Sequence, residues 1–258
     1  MQQRHMASWP TATGSIAAYS DKSFNAVDKK PVVLFLHGAL RNAEFLVHWI
    51  DLIGDAADVI LLDLPGHGRS SSPAVGSVAS MASDIDGAIR VHLGGRRILL
   101  VGESIGGTIA LKIGGASGGG PVKAVFAADP PMTTAKLWSV SAVFKMTMAR
   151  QPENSFLPRL ARDSFGLSAE GSDELIYYPY IGQLQVPGVI ATGDVPLLPP
   201  RRMTTASSVF DDVDAFVTQN LYPGKVRIER IQDCGHLLLI EARQRCLAIM
   251  QRQISESV

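Results

Sequence analysis

Val101-Gly102-Glu103-Ser104-Ile105-Gly106-Gly107 matches Gly-x-Ser-x-Gly, and it stands between the apolar run Ile98 to Val101 and the helix-compatible segment Thr108 to Ile113. A serine on so tight a strand-to-helix turn takes strained backbone angles, and the residues two positions either side of it must be small to clear the adjoining strand and helix. Here they are Gly102 and Gly106. Such a turn lifts the Ser104 hydroxyl above the sheet. It also leaves the Ile105 N–H free at a helix N-terminus, where it can stabilise a developing oxyanion. Gly-rich turns ahead of helices are common, so the pentapeptide needs support from the rest of the chain.

Working outward, four further motifs follow a fixed order: Leu36-His37-Gly38-Ala39 after an apolar run, Leu62-Asp63-Leu64-Pro65-Gly66-His67-Gly68-Arg69-Ser70, Thr192-Gly193-Asp194 after another run, and Asp233-Cys234-Gly235-His236 near the end. With the serine motif they make the chain resemble the α/β-hydrolase family over roughly residues 31 to 250. The resemblance implies an α/β-hydrolase fold: a mostly parallel central sheet with helices on both faces and a small inserted lid. The expected organisation is a single domain, 1–258, with its core at about 13–130 and 182–258 and the lid insertion at about 131–181.

Composition agrees with one globular α/β domain. Of 258 residues 46% are hydrophobic and 19% charged, which suits a chain with a large core. Lys plus Arg and Asp plus Glu both number 24, so no net field favours nucleic acid or anionic lipid. Apolar runs such as Val32 to Leu36 are far too short to span a bilayer, and Met1 to Met6 carries no signal core. The chain is therefore expected to be cytoplasmic, as a monomer or homodimer. Cys234 and Cys246 lack metal-ligand spacing and read as idle thiols, although Cys234 stands close enough to His236 for thiol reagents to be worth testing. No metal and no cofactor is expected.

Local patterns place the motifs. Residues 1 to 12 read as irregular, and Gly14 to Tyr19 as an edge strand. Val32 to Leu36, Val59 to Leu62, Ile98 to Val101, Val122 to Ala128, Val189 to Thr192 and Val226 to Ile231 read as strands. Helical periodicity marks Asn42 to Gly54, with Phe45, Leu46, Trp49, Ile50 and Ile53 inward, and Val75 to Leu93. Further helices are expected at Thr108 to Gly115, Lys136 to Arg150, Ser207 to Leu221 and Glu241 to Ile254. Leu40, with Trp138, Phe144 and Met148 of the insertion, are the candidate substrate-binding residues, since flexible methionines and aromatics suit an apolar cleft.

Serine catalysis needs a base and a carboxylate that orients it. His236 is the base, because it comes last in the chain, as the family's order of Ser, acid, His requires. His37 reads as a residue that orients its own loop. In the family the oxyanion donors are the N–H of the residue after His-Gly, here Ala39, and that of Ile105. The acid is the point of departure, because the position three residues after Gly193, where the family places a carboxylate, is Pro196. Asp194 is the first choice. The second is Asp129, which ends the strand after the nucleophile helix, where a minority of the family carries its acid. The resemblance then implies a serine hydrolase that cleaves a small-to-medium hydrophobic ester, thioester or lactone through an acyl-enzyme. An acyltransferase, a C–C hydrolase or lyase on the same triad, and a non-catalytic ligand receptor are the alternatives.

Overall fold

The computed structural model describes residues 5–24, 30–118, 120–150, 155–168, 171–195 and 206–258. Eight strands among them form one sheet: β1 (His5–Thr11), β2 (Gly14–Ser20), β3 (Val32–Leu36), β4 (Asp58–Leu62), β5 (Ile98–Glu103), β6 (Val122–Ala128), β7 (Gly188–Gly193) and β8 (Val226–Ile231). Their order is β1-β2-β4-β3-β5-β6-β7-β8; β2 pairs antiparallel with β1 and β4, and every other pair is parallel. The helices are α1 (His48–Ile53), α2 (Val78–Leu93), α3 (Ile105–Ala116), α4 (Trp138–Met148), α5 (Phe156–Phe165), α6 (Pro179–Gly182), α7 (Asp212–Leu221), α8 (Leu238–Glu241) and α9 (Arg243–Ser257).

Alternation along the buried strands separates two cores. Val32, Leu34 and Leu36 face the layer containing Ile85 and Ile89 of α2, Ile109 and Ile113 of α3, and Leu160 of α5. Val33 and Phe35 face Trp49 and Ile53 of α1 and Cys246, Ile249 and Met250 of α9. Because consecutive side chains point to opposite faces, a strand covered on both sides is apolar throughout, as β3 is. Between β6 and β7, the stretch in which the insertion is expected, lie α4, α5 and α6.

Several local expectations are corrected. Residues His5–Thr11 form β1, the sheet's edge, and β2 lies inside it. The stretch from Asn42 opens as a 3-10 turn, Ala43–Leu46, before α1, and this turns Phe45 outward to 50% exposure, 5.3 Å under the Arg41 guanidinium. The helix expected from Ser207 begins at Asp212, because the backbone of 209–210 is bound elsewhere.

Candidate active site

β5 runs into α3 through Ser104, whose φ of 57° and ψ of −127° lie in a region that L-residues rarely occupy. The glycines of the motif are explained by contact. A Cβ on Gly102 would stand 2.1 Å from the Gly106 carbonyl oxygen, and one on Gly106 would stand 2.6 Å from the carbonyls of Leu36 and His37. The turn is thus wedged between its own helix and the end of β3. Ser104 N–H donates to Ala128 O at 2.9 Å, which binds the turn to the end of β6. Ile105 is the first residue of α3, so its N–H has no acceptor within the helix.

The His37-Gly38-Ala39 loop passes directly beside the serine. A Cβ on Gly38 would lie 3.3 Å from Ser104 Cβ and 3.9 Å from its Oγ. His37 is buried, and its Nε2 accepts the Leu64 N–H at 2.9 Å, so Nδ1 carries the ring proton and donates to Gly38 O at 2.7 Å. Burial, with the neighbouring His67, lowers its pKa to about 3, so the ring stays neutral. Fixing the Gly38 carbonyl directs the Ala39 N–H to the opposite side, since the peptide is planar and trans.

His236 sits on the loop after β8, its N–H bonded to Ala206 O at 2.7 Å. Its Nδ1 lies 2.6 Å from Asp129 Oδ2. A carboxylate only accepts, so Nδ1 holds the proton and Nε2 is left as the proton acceptor. Burial opposes the charged ring, but the hydrogen bond and charge of Asp129, with the charge of Glu103, outweigh it and raise the pKa above the ordinary histidine value.

Asp129 is fully buried where β6 ends. Its Oδ1 accepts from the Phe210 N–H at 3.1 Å and from the Ser208 hydroxyl, and Thr192 Oγ1 lies 3.0 Å away. Oδ2 accepts from the Val209 N–H at 2.8 Å as well as from His236. The preference for Asp194 is therefore corrected by geometry. Asp194 is exposed and accepts the Cys234 N–H at 3.3 Å, a tie between loops, while residues of the segment that follows β7 cradle Asp129 instead. Pro196 lies outside the described residues.

Glu103, next to the serine, was not singled out as a site residue. It is 1% exposed, pairs through Oε1 with Arg41 Nη1 at 2.8 Å and accepts the Leu239 N–H through Oε2 at 3.1 Å. It thereby joins the nucleophile turn to the Ala39 loop and to the loop bearing His236. Its position inside the motif was the available signal. Leu40, Ser104, Asp129 and Asp233 are the non-glycine residues at positive φ, 62°, 57°, 46° and 57°, among the described residues. They fall on the four segments that build this site, where strain is commonly concentrated.

The candidate substrate residues divide. Leu40 is 41% exposed beside Ala39, and Met148 is half-buried against the core. Phe144 is 1% exposed and packs at 4.7 Å between centroids on Phe165, joining α4 to α5. The Trp138 side chain lies outside the described residues. Cys234 is buried beside Glu241, and burial pushes its thiol up to about 12, so the thiolate needed for reaction with thiol reagents is disfavoured.

Residues 31–164 match the family model described as alpha/beta hydrolase fold, just over half of the 258-residue chain. The chain belongs to the α/β-hydrolase fold family. It is 32% identical over 81 residues to a dihydrolipoyllysine-residue acetyltransferase component of an acetoin cleaving system from Cupriavidus necator, a match covering 31% of this chain and 22% of that one. It is 31% identical over 83 residues to a putative esterase/lipase from Haemophilus influenzae, covering 32% and 29%. The chain therefore matches less than a third of the length of either relative. A solved carboxylesterase from Bacillus subtilis superposes with a TM-score of 0.68 over 96% of this chain and 90% of its own, at 14% identity, a likeness of fold. Among the described residues no helix is long and apolar enough to cross a membrane.

Proposed function

We propose that this protein is a serine hydrolase acting on small-to-medium hydrophobic esters, thioesters or lactones. The observation that carries the reading is the 2.6 Å contact between His236 Nδ1 and the buried Asp129, behind a serine held at φ 57° beside the Gly38 loop. Ser104 Oγ attacks the carbonyl carbon while its proton passes to His236 Nε2. Asp129 stabilises the resulting imidazolium, and the N–H groups of Ala39 and Ile105 hold the oxyanion. Collapse breaks the bond to the leaving group, which takes the proton from His236 and departs. Water then loses a proton to His236 and attacks the acyl-enzyme; the second collapse returns the serine hydroxyl and releases the acid. Every proton is carried by the chain's own residues or by water.

Two observations support the substrate class. Leu40 presents an apolar side chain at 41% exposure next to the oxyanion loop, and the segment between β6 and β7, read as a lid, carries Met146 at 62% exposure and the half-buried Met148. The names of an esterase/lipase among the relatives and of a carboxylesterase among similar folds point the same way. The test is a panel of p-nitrophenyl esters and acyl thioesters of increasing chain length, followed on the millisecond scale. An initial burst and a preference for acyl chains longer than acetyl are expected. The absence of both burst and turnover across the panel would overturn the reading.

A further inference from the structure

We propose that Asp214 is a positioning residue for the triad acid: it clamps both ends of the 131–181 insertion to the N-terminus of α7 and so fixes the Ser208–Phe210 segment that holds Asp129. This rests on the reading of Asp129 as the acid.

Asp214 stands in the first turn of α7, yet it is fully buried. Its Oδ2 accepts from Lys136 Nζ at 2.5 Å and from the Asp211 N–H at 2.9 Å, and its Oδ1 accepts from the Tyr178 hydroxyl. Lys136 lies near the start of the insertion and Tyr178 near its end. Those two ends are also paired with each other, through the bridge Thr133 to Ile176 and the Thr134 N–H donated to Leu175 O at 3.0 Å. One carboxylate thus receives the root of the insertion from both sides.

Capping alone does not require this. Asp211 already accepts the N–H groups of Val213 and Asp214 at 2.9 and 3.1 Å, and a capping-box carboxylate works on the surface. Burying one carries a desolvation cost that its partners must offset, and burial here pushes the Asp214 pKa up. What the burial gains is position. The three residues before Asp211 are Ser208, Val209 and Phe210, the donors that hold both oxygens of Asp129. Their carbonyl side is pinned from β7 by Thr192 Oγ1, 2.5 Å from Phe210 O. The segment is therefore stretched between β7 and the Asp214 clamp, and a shift of the insertion's root is passed to the acid with no free residue between.

The test uses the full chain with Asp214→Asn, Lys136→Met and Tyr178→Phe. Two readouts are followed: the downfield proton resonance of His236 Nδ1, which Asp129→Asn identifies, and steady-state kinetics. Folded Asp214→Asn should shift or broaden that resonance and lower kcat by about 10²-fold with KM within about twofold, as expected for displaced catalytic geometry. Lys136→Met and Tyr178→Phe should do the same in smaller measure, and they decide the matter if Asp214→Asn does not fold. A lowered melting temperature with the resonance and kcat unchanged would overturn the proposal and leave Asp214 a purely structural residue. If the wild-type chain turns over no ester, the serine hydrolase reading fails, while the resonance still judges the role of Asp214.

Discussion

Asp129→Asn separates rate from stability at the centre of the site. The amide can be placed in two ways. With its nitrogen at the Oδ1 position, the NH2 group faces the Phe210 N–H, formerly a 3.1 Å hydrogen bond, while the oxygen keeps Val209 and His236. With its nitrogen at the Oδ2 position, it faces the Val209 N–H and donates to His236 Nδ1, which moves the ring proton to Nε2 and removes the base. Either placement sets one buried donor against another, a cost of about 1 to 3 kcal/mol. Either also removes the charge that stabilises the imidazolium, for which the loss in serine proteases is about 10⁴ in kcat, or about 5 kcal/mol of barrier. Asp194→Asn is the control: its exposed side chain keeps an oxygen for the Cys234 N–H, and the expected change in rate is under about twofold. The assay is kcat on the best ester of the panel, with thermal melts alongside. A large rate loss in Asp194→Asn, with Asp129→Asn within tenfold of wild type, would refute the reasoning.

Activity should rise with pH as His236 loses its proton, with a midpoint above the ordinary value of about 6.5. The same raised pKa means that protonated His236 stabilises the fold fully below about pH 6.5, and that this contribution disappears as pH rises through the folded-state value; melts of wild type and His236→Gln across that window measure it. Glu103→Gln should lower kcat and move the acid limb to lower pH, because it removes a charge that raises the His236 pKa and leaves Arg41, which lowers it, unopposed. It should also cost about 1 to 3 kcal/mol, because the amide nitrogen is set against either Arg41 or the Leu239 N–H, and an unmoved pH limb would speak against the electrostatic role. Gly102→Ala should impair folding, since the added methyl would overlap the Gly106 carbonyl, and overpacking of this kind costs about 1 to 3 kcal/mol or more. A melting temperature within a degree of wild type would contradict that packing.

Periodicity read β6 and β8 to their end residues because each carries its own apolar pattern: β6 is apolar almost throughout, and β8, at the other edge of the sheet, alternates Val226 and Ile228 with Arg227 and Glu229. β1 was hidden for the opposite reason. At the edge of the sheet it buries little besides Trp9, and it contains Pro10, so its sequence looks like a polar tail. The serine, the His-Gly loop and the last histidine were legible because each needs particular residue types within a few positions. The partner of His236 was not, because two aspartates end neighbouring strands and nothing local distinguishes them. That choice is made by Ser208, Val209 and Phe210, which are 79 to 81 residues from Asp129 and whose sequence suits a helix. Their N–H groups went to a buried carboxylate instead, and α7 starts only where Asp211 can cap it.

The central claim is that Ser104 is a nucleophile activated by His236. It is tested most directly by incubating the intact chain with a fluorophosphonate and locating the adduct by peptide mass spectrometry. One phosphonyl group per chain is predicted, on the Ser104 hydroxyl, absent in Ser104→Ala and formed far more slowly in His236→Ala. Labelling at any other residue, or undiminished labelling of Ser104→Ala, would contradict it.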